Sequence, residues 1–380
     1  MSTGRCVARP VAPAAAADYN LAVGIESTLG FGPFFEQQLP SLGGDGVVTA
    51  RIAAEHRGAY EVWSATDSGR AQLAGRLRLE LEDVGFPGVG DWVVVNAAPG
   101  PNHTATIERV FDRRTVFTRG AAGREARAQV VAANVDLVFA VCGLDADFNL
   151  RRIERYLARI WASGAQPVVI LNKADLCANP WMRVAEVERH CVGVPVHVVS
   201  ALRCEGIEAV RACIHDGMTV ALVGSSGAGK STLVNALVGE ERMPTGHVRA
   251  SDGRGCHVTT HRQLVLLPGG GLLVDTPGMR ELRLLDEDGI DAVFADIATL
   301  ADRCRFRDCR HDTEPGCAVR EAVESGELDA DRFDHYRKLE REAQANELRQ
   351  DEHKRRQAER VWAQRLDEVA QLRKWKGGKP

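Results

Sequence analysis

The sequence predicts a multidomain chain: an N-terminal β-barrel, a central α/β domain built around a phosphate loop, and a small metal-binding helical module that runs on into a long charged helix. Three observations carry this. Thr219-Val220-Ala221-Leu222-Val223 leads into Gly224-Ser225-Ser226-Gly227-Ala228-Gly229-Lys230-Ser231-Thr232; five short β-like runs lie well before it; and Cys304, Cys309, His311 and Cys317 fall within 14 positions after it. A chain of 380 residues has room for two or three domains, each with its own core. The formal net charge of -4 says little about partners. There is no unbroken apolar stretch of about 18 residues and no basic segment followed by an apolar one at the N-terminus, so no membrane partner and a cytoplasmic location are expected. The ten cysteines mostly stand singly, as reduced cytosolic thiols do.

Residues 1–40 open Ala-rich, with Pro10 and Pro13, and are expected to form a disordered or loosely ordered segment. The barrel is expected over 41–125. Its strands are Val47 to Ile52, Ala59 to Trp63, Arg76 to Leu79, Asp91 to Val95 and Ala105 to Val110, parted by Gly, Asp, Pro and Asn turns. Five strands at this spacing suit an OB-fold, a surface often used for oligonucleotides. Two readings of its polar residues stand level. In one, Arg51, Arg57, Arg70, Arg76, Arg78, Arg113 and Arg114 meet phosphates while Tyr60 or Trp63 stacks on bases. In the other, the arginines form a solvated basic face and the aromatics are buried.

The α/β domain is expected over 126–290. Asp136 to Val141 reads as a buried strand, and Leu150, Ile153, Tyr156, Leu157, Ile160 and Trp161 mark one face of a helix. The strand Pro167 to Leu171 runs directly into Asn172-Lys173-Ala174-Asp175. This Asn-Lys-x-Asp pattern selects guanine, because the Asp175 carboxylate can accept from both the ring N1 and the exocyclic amine, a donor pair adenine lacks. Asn172 is expected to hold the loop and base edge, and the Lys173 stem to cover the ring. A further strand, Val194 to Val199, ends in Ser200 and Ala201, placed to support the base through a backbone N–H.

Next comes the phosphate loop. Its glycines allow a tight turn that aims backbone N–H groups inward, and the following helix adds the positive end of its dipole. Lys230 is expected to reach the β and γ phosphates, and Ser231 to ligate Mg²⁺. A hairpin, Leu264 to Leu267 and Leu272 to Val274, then ends in Asp275-Thr276-Pro277-Gly278. Asp275 stands where GTPases orient Mg²⁺, and Gly278 where an amide senses the γ-phosphate. The order is base, base support, phosphate loop, Asp-x-x-Gly, whereas ordinary GTPases place the phosphate loop first. Circular permutation of a P-loop GTPase domain accounts for this.

Between Lys230 and Asp275 the Gly-rich polar stretch Ser251 to His261 has the position of a first switch. A threonine here is expected to complete the Mg²⁺ shell, and His257 to position or deprotonate water; a solvated loop histidine is the other reading. Met279 stands where Ras-like enzymes carry a water-orienting Gln, and an apolar side chain cannot do that work.

Cys304-x4-Cys309-x-His311-x5-Cys317 supplies three thiolates and one imidazole, the donor set of a closed structural Zn²⁺ site. The zinc-binding domain is expected over 291–343. Residues 344–380 continue as a charged helical tail ending in Arg373-Lys374-Trp375-Lys376. That end reads either as an RNA-phosphate contact or as a frayed, solvated terminus.

From roughly Val47 to Leu339 these features resemble the ribosome small-subunit-dependent GTPase A family of bacteria. The resemblance rests on the rearranged motif order, the barrel before it and the Cys/Cys/His/Cys cluster after it. It implies an OB-fold, a circularly permuted GTPase domain and a zinc domain, acting in late maturation of the small ribosomal subunit, with that subunit and its ribosomal RNA as partners. It also implies slow GTP hydrolysis, with Mg²⁺, stimulated by the subunit, and it assigns catalysis to the switch histidine matched by His257. The family usually shows three threonines after this histidine. Here the first is Val258, leaving Thr259, taken as the Mg²⁺ ligand, and Thr260. A monomer is expected. Two other readings are an RNA-binding module in which GTP only stabilises the fold, and an ATP-dependent enzyme, against which Asp175 argues.

Overall fold

The computed structural model describes residues 25–43, 47–56, 58–81, 85–120, 128–239, 262–275, 288–345 and 348. The chain divides into two compact units, residues 1–120 with 128–283 and residues 121–127 with 284–380. In the first, β1 (Val48–His56), β2 (Ala59–Ser64), β3 (Ser68–Leu73), β4 (Trp92–Val95) and β5 (Thr104–Val110) pair in the order β1-β2-β3-β5-β4, and β4 returns to β1. That closes a five-stranded barrel around Ile52, Val62, Val93 and Ile107, all fully buried. Closure removes the exposed strand edges a small open sheet would present.

Several expectations for this region meet a different outcome, and one of the two barrel readings is decided in part. Arg76 to Leu79 belongs to a helix, α4 (Gly75–Leu81), in which Arg76 Nε meets Glu80 Oε1 at 2.7 Å one turn on. Four alternating residues are too few to separate a period of 2 from one of 3.6, and the true third strand, Ser68–Leu73, buries only Ala71. Within residues 1–40, the described part from Ile25 onward is ordered. It forms α1 (Ile25–Thr28), α2 (Pro33–Glu36) and, to Leu42, α3 (Leu39–Leu42). Phe31 and Phe35 are buried beside Trp92 and Phe111, with Phe31 edge-on to Trp92 at 4.8 Å between ring centres.

Arg51 is buried, not a phosphate ligand. Its guanidinium donates to the carbonyls of Leu29 at 2.5 Å, Gly90 at 3.1 Å and Asn134 at 3.1 Å, and burial pulls its pKa down to about 10. Arg113 makes a two-pronged ion pair with the fully buried Asp91, and Tyr60 lies in the barrel core. Arg70, Arg76, Arg78 and Arg114 are exposed, whereas Arg57 lies outside the described residues. Of the described cysteines, Cys142, Cys177, Cys191, Cys213, Cys304, Cys309 and Cys317 are free thiols, whereas Cys204 is disulfide-bonded and departs from the expectation of reduced thiols.

An antiparallel pair, β6 (Val116–Gly120) and β7 (Ala128–Ala133), follows the barrel. Five parallel strands come next: β8 (Leu137–Gly143), β9 (Gln166–Asn172), β10 (Val196–Val198), β11 (Thr219–Gly224) and β13 (Leu272–Asp275). A sixth, β12 (Gln263–Leu266), runs antiparallel beside β13. Their spatial order is β10-β9-β8-β11-β13-β12. The chain therefore builds outward from β8 to β10, then returns to place β11 against the other side of β8. The reversal creates a crevice at the carboxyl ends of β8 and β11, where open α/β sheets bind ligands. β12 also pairs with barrel strand β1 at Ala54 and Gln263, so one sheet runs through both parts. The helices α5 (Leu150–Ala162), α6 (Pro180–His190), α7 (Ile207–Arg211) and α8 (Lys230–Val238) accompany the parallel strands. α5 buries Ile153, Leu157 and Ile160, the stripe its spacing predicts.

The second unit contains α9 (Asp288–Val293), α10 (Ala295–Ala301), α11 (Ala318–Ser325) and helical residues 330–345. Its core centres on fully buried Phe294, flanked by the rings of His335 and Tyr336 and covered by the Arg332 guanidinium at 4.6 Å. Of the predicted tail, residues 349–380 lie outside the described residues. Among the described residues no helix is long and apolar enough to cross a membrane.

Candidate functional site

The crevice gathers the predicted motifs through one buried side chain. Asn172, at the end of β9, donates from Nδ2 to the Ala228 carbonyl of the phosphate loop at 3.0 Å. Its Oδ1 accepts from the Ala201 amide at 3.0 Å. A single amide thus ties together the base motif, the base-support loop and the phosphate loop. Local backbone favours this: Lys173 takes a left-handed conformation (φ +65°), ending β9 sharply, and the Ala174 amide donates to the Val199 carbonyl. Asp175 accepts from the Ser200 hydroxyl at 2.6 Å, which links the two base loops a second time.

The phosphate loop wraps the end of β11. Gly229 has φ +89°, and a Cβ there would collide with Asn172 Nδ2, so neither its backbone nor its neighbour tolerates a side chain. Lys230 Nζ donates to the Gly224 carbonyl at 2.7 Å and the Ser225 carbonyl at 2.5 Å. Ser226 and Gly227 are exposed at the rim, Ser231 and Thr232 are half-buried on the first turn of α8, and Ala228 is buried beneath. Asp275 ends β13, next to β11 in the sheet, which brings the expected Mg²⁺-orienting carboxylate to the same edge. His257, Thr259, Thr260, Gly278 and Met279 lie outside the described residues.

Two residues in the crevice carry no motif. In the loop from β8 to α5, Asp145 Oδ2 accepts from Lys173 Nζ at 2.5 Å, and Asp147 accepts from the Ser225 hydroxyl and from Arg152 Nη1 at 2.5 Å. Burial works to raise the Asp145 pKa, but the Lys173 hydrogen bond and charge and the Asp147 amide outweigh it, so the carboxyl lies below its usual range. The sequence signal available was positional: two acids just past a parallel strand that borders the phosphate strand.

In the second unit, the ligand atoms of Cys304, Cys309, His311 and Cys317 all lie within 4.8 Å of one another. A tetrahedral Zn²⁺, with Zn–S of about 2.3 Å and Zn–N of about 2.0 Å, requires S–S separations of about 3.8 Å and S–N of about 3.5 Å. The Cys304–Cys317 separation is 3.9 Å, and His311 Nδ1 lies 3.4 Å from Cys317 Sγ and 3.7 Å from Cys304 Sγ. Desolvation, then the neighbouring Cys317 and Cys304, push the Cys309 thiol up to about 11. A thiol held protonated in this way is what a bound cation would ionise and stabilise. The knuckle is preformed: His311 takes φ +57°, and Glu314 accepts from the amides of Arg310, Asp312 and Thr313. The Cys₃His cluster fits one metal ion.

Comparison with known proteins agrees with this arrangement. The RsgA GTPase family profile matches residues 110–285. The chain is 48% identical over 326 residues to the small ribosomal subunit biogenesis GTPase RsgA of Opitutus terrae, covering 83% of this chain and 89% of that protein. It is 45% identical over 319 residues to RsgA 2 of Vibrio parahaemolyticus, covering 84% and 86%. Among solved structures it is similar to YjeQ from Thermotoga maritima, with a TM-score of 0.60, 27% identity, and coverage of 78% of this chain and 98% of that one. It is also similar in fold to YloQ, described as a circularly permuted GTPase, with a TM-score of 0.58, 24% identity, and coverage of 79% and 96%. The chain belongs to the RsgA GTPase family.

Proposed function

We propose that this chain is a circularly permuted GTPase that serves small ribosomal subunit biogenesis as a late assembly factor. It hydrolyses GTP to GDP and phosphate and couples its nucleotide state to binding and release of the subunit. The Asn172 link between the base and phosphate loops supports this most directly: segments 56 residues apart in the chain meet within hydrogen-bond distance at one crevice.

In this reading Asp175 and Asn172 select guanine, the Lys173 stem covers it, and Ser200 and Ala201 support it. The amides from Gly224 to Thr232 cradle the phosphates. Lys230 exchanges its carbonyl partners for the β and γ phosphates, and Ser231, Thr259 and Asp275 hold Mg²⁺. Water attacks the γ-phosphorus, the bond to the β–γ bridging oxygen breaks, and GDP departs. His257 orients the water or takes its proton, and the Gly278 amide senses the γ-phosphate. The barrel is an OB-fold over 41–125, the GTPase domain spans 126–290, and the Cys₃His cluster holds one structural Zn²⁺ within 291–343. The protein acts in the cytoplasm as a monomer, with the subunit's RNA met by exposed barrel arginines such as Arg70 and Arg78.

The test is GTP turnover by purified protein with and without small ribosomal subunits. The expected result is a clear rise on adding subunits, and loss of turnover in Lys230→Ala. No rise would remove the ribosomal part of the proposal, and full turnover in Lys230→Ala would remove the catalytic part.

A further inference from the structure

The loop between β8 and α5 reaches both halves of the crevice at once. Asp145 meets the base motif through Lys173, and Asp147 meets the phosphate loop through Ser225. Each carboxylate is held from behind. Asp145 Oδ1 accepts from the Asp147 amide at 3.1 Å, and Asp147 is pinned by Arg152, itself on a helix whose first turn is capped by Asn149. The Leu144 amide donates to the Asn172 carbonyl at 2.7 Å, fixing the loop to β9. The approach is tight: a Cβ on Gly143 would stand 2.6 Å from Asp145 Oδ1.

We propose that Asp145 and Asp147 are positioning residues of the nucleotide site. Asp145 anchors the Lys173 ammonium so that its stem lies across the guanine face, and Asp147 sets the orientation of Ser225 at the mouth of the phosphate loop. A lysine side chain has four rotatable carbons and large rotamer entropy, so a stem that must lie flat on a base needs its far end held. Asp145 supplies that hold from within the protein. Preorganisation of this kind lowers the ordering cost of binding and improves affinity without touching the ligand. Asp147 does the same for the loop that must present its amides to phosphate.

The inference rests on the reading that Lys173 covers guanine, and the experiment separates the two. GDP affinity, GTP KM and kcat, and ligand-free melting temperature are measured for Asp145→Asn, Lys173→Ala and the double variant. Asp145→Asn is expected to raise the GDP Kd and the GTP KM together by about fivefold, with little change in kcat, as loss of ground-state positioning does. Once Lys173 is removed, losing Asp145 has nothing further to disturb, so the double variant should bind GDP no worse than Lys173→Ala alone. The pair Asp147→Asn and Ser225→Ala should behave likewise.

Unchanged Kd and KM in Asp145→Asn, or losses that add in the double variant, would overturn the proposal while leaving the base reading intact. A fall in melting temperature in Asp145→Asn larger than in Lys173→Ala would overturn it too, by making Asp145 a structural residue. Unchanged affinity in Lys173→Ala would remove the base reading and the inference with it.

Discussion

Replacing Asn172 by Ala removes one side chain that three loops share. The residue is 2% exposed, and its two bonds, to the Ala228 carbonyl and from the Ala201 amide, are both 3.0 Å long. Two ordinary hydrogen bonds are worth about 1 kcal/mol each, and a buried partner left without one costs about 1–3 kcal/mol, so a loss of about 2–4 kcal/mol is expected. For a unit of this size that is a fall of roughly 4–10 °C in melting temperature. Because Asn172 holds the phosphate loop against the base loop, GDP affinity should fall as well, by about 100-fold if some 2.7 kcal/mol of the loss appears in binding. The assays are a ligand-free thermal melt and titration with a fluorescent GDP analogue. A variant that melts with the parent and binds GDP equally well would refute the claim that this amide assembles the site.

Three further outcomes follow from other parts of the molecule. Phe35→Ala should destabilise the first unit by about 3–5 kcal/mol, read by urea unfolding, because Phe35 is 1% exposed among Phe31, Trp92 and Phe111. Metal analysis should find one zinc per chain, and Cys317→Ser or chelation should abolish it and cost helical signal from the second unit. Asp296 supplies a pH dependence. Burial works to raise its pKa from 3.8, but hydrogen bonding and charge from Arg332 win and lower it. The stabilisation is therefore complete above the unfolded value and lost as pH falls below about 4. A pH melt of the second unit should show that acid-side loss in the parent, and Asp296→Asn should lack it.

The fold of the nucleotide region was largely legible because its signals are local. A phosphate loop needs glycines where φ is positive, a guanine site needs an Asp after a strand, and buried parallel strands are near-continuous apolar runs. The predicted strand cores from Asp136 to Val274 and the stripe on α5 reappear within a residue or two of their observed limits. The Cys₃His spacing was equally readable, since metal donors are scarce residue types. The barrel was harder to read. Ser68–Leu73 is a polar strand with little hydrophobic signature, and Arg76 to Leu79 is too short to show which period it follows.

By itself the sequence supplied the residue types from which the chemistry was expected: an Asn-Lys-x-Asp run, a phosphate-loop pattern and a Cys₃His cluster, each written at short spacing. Only the tertiary structure decided what long-range contact controls. It turned Arg51 from a surface cation into a buried clasp on three carbonyls, and packed Phe31 and Phe35 against a barrel whose first strand lies further along the chain. It also brought Asp145 and Asp147 to Lys173 and Ser225. The physical reason is that an arginine or aspartate reads as solvated until the groups that desolvate and pair it are known, and those groups come from strands that meet only when the sheet closes.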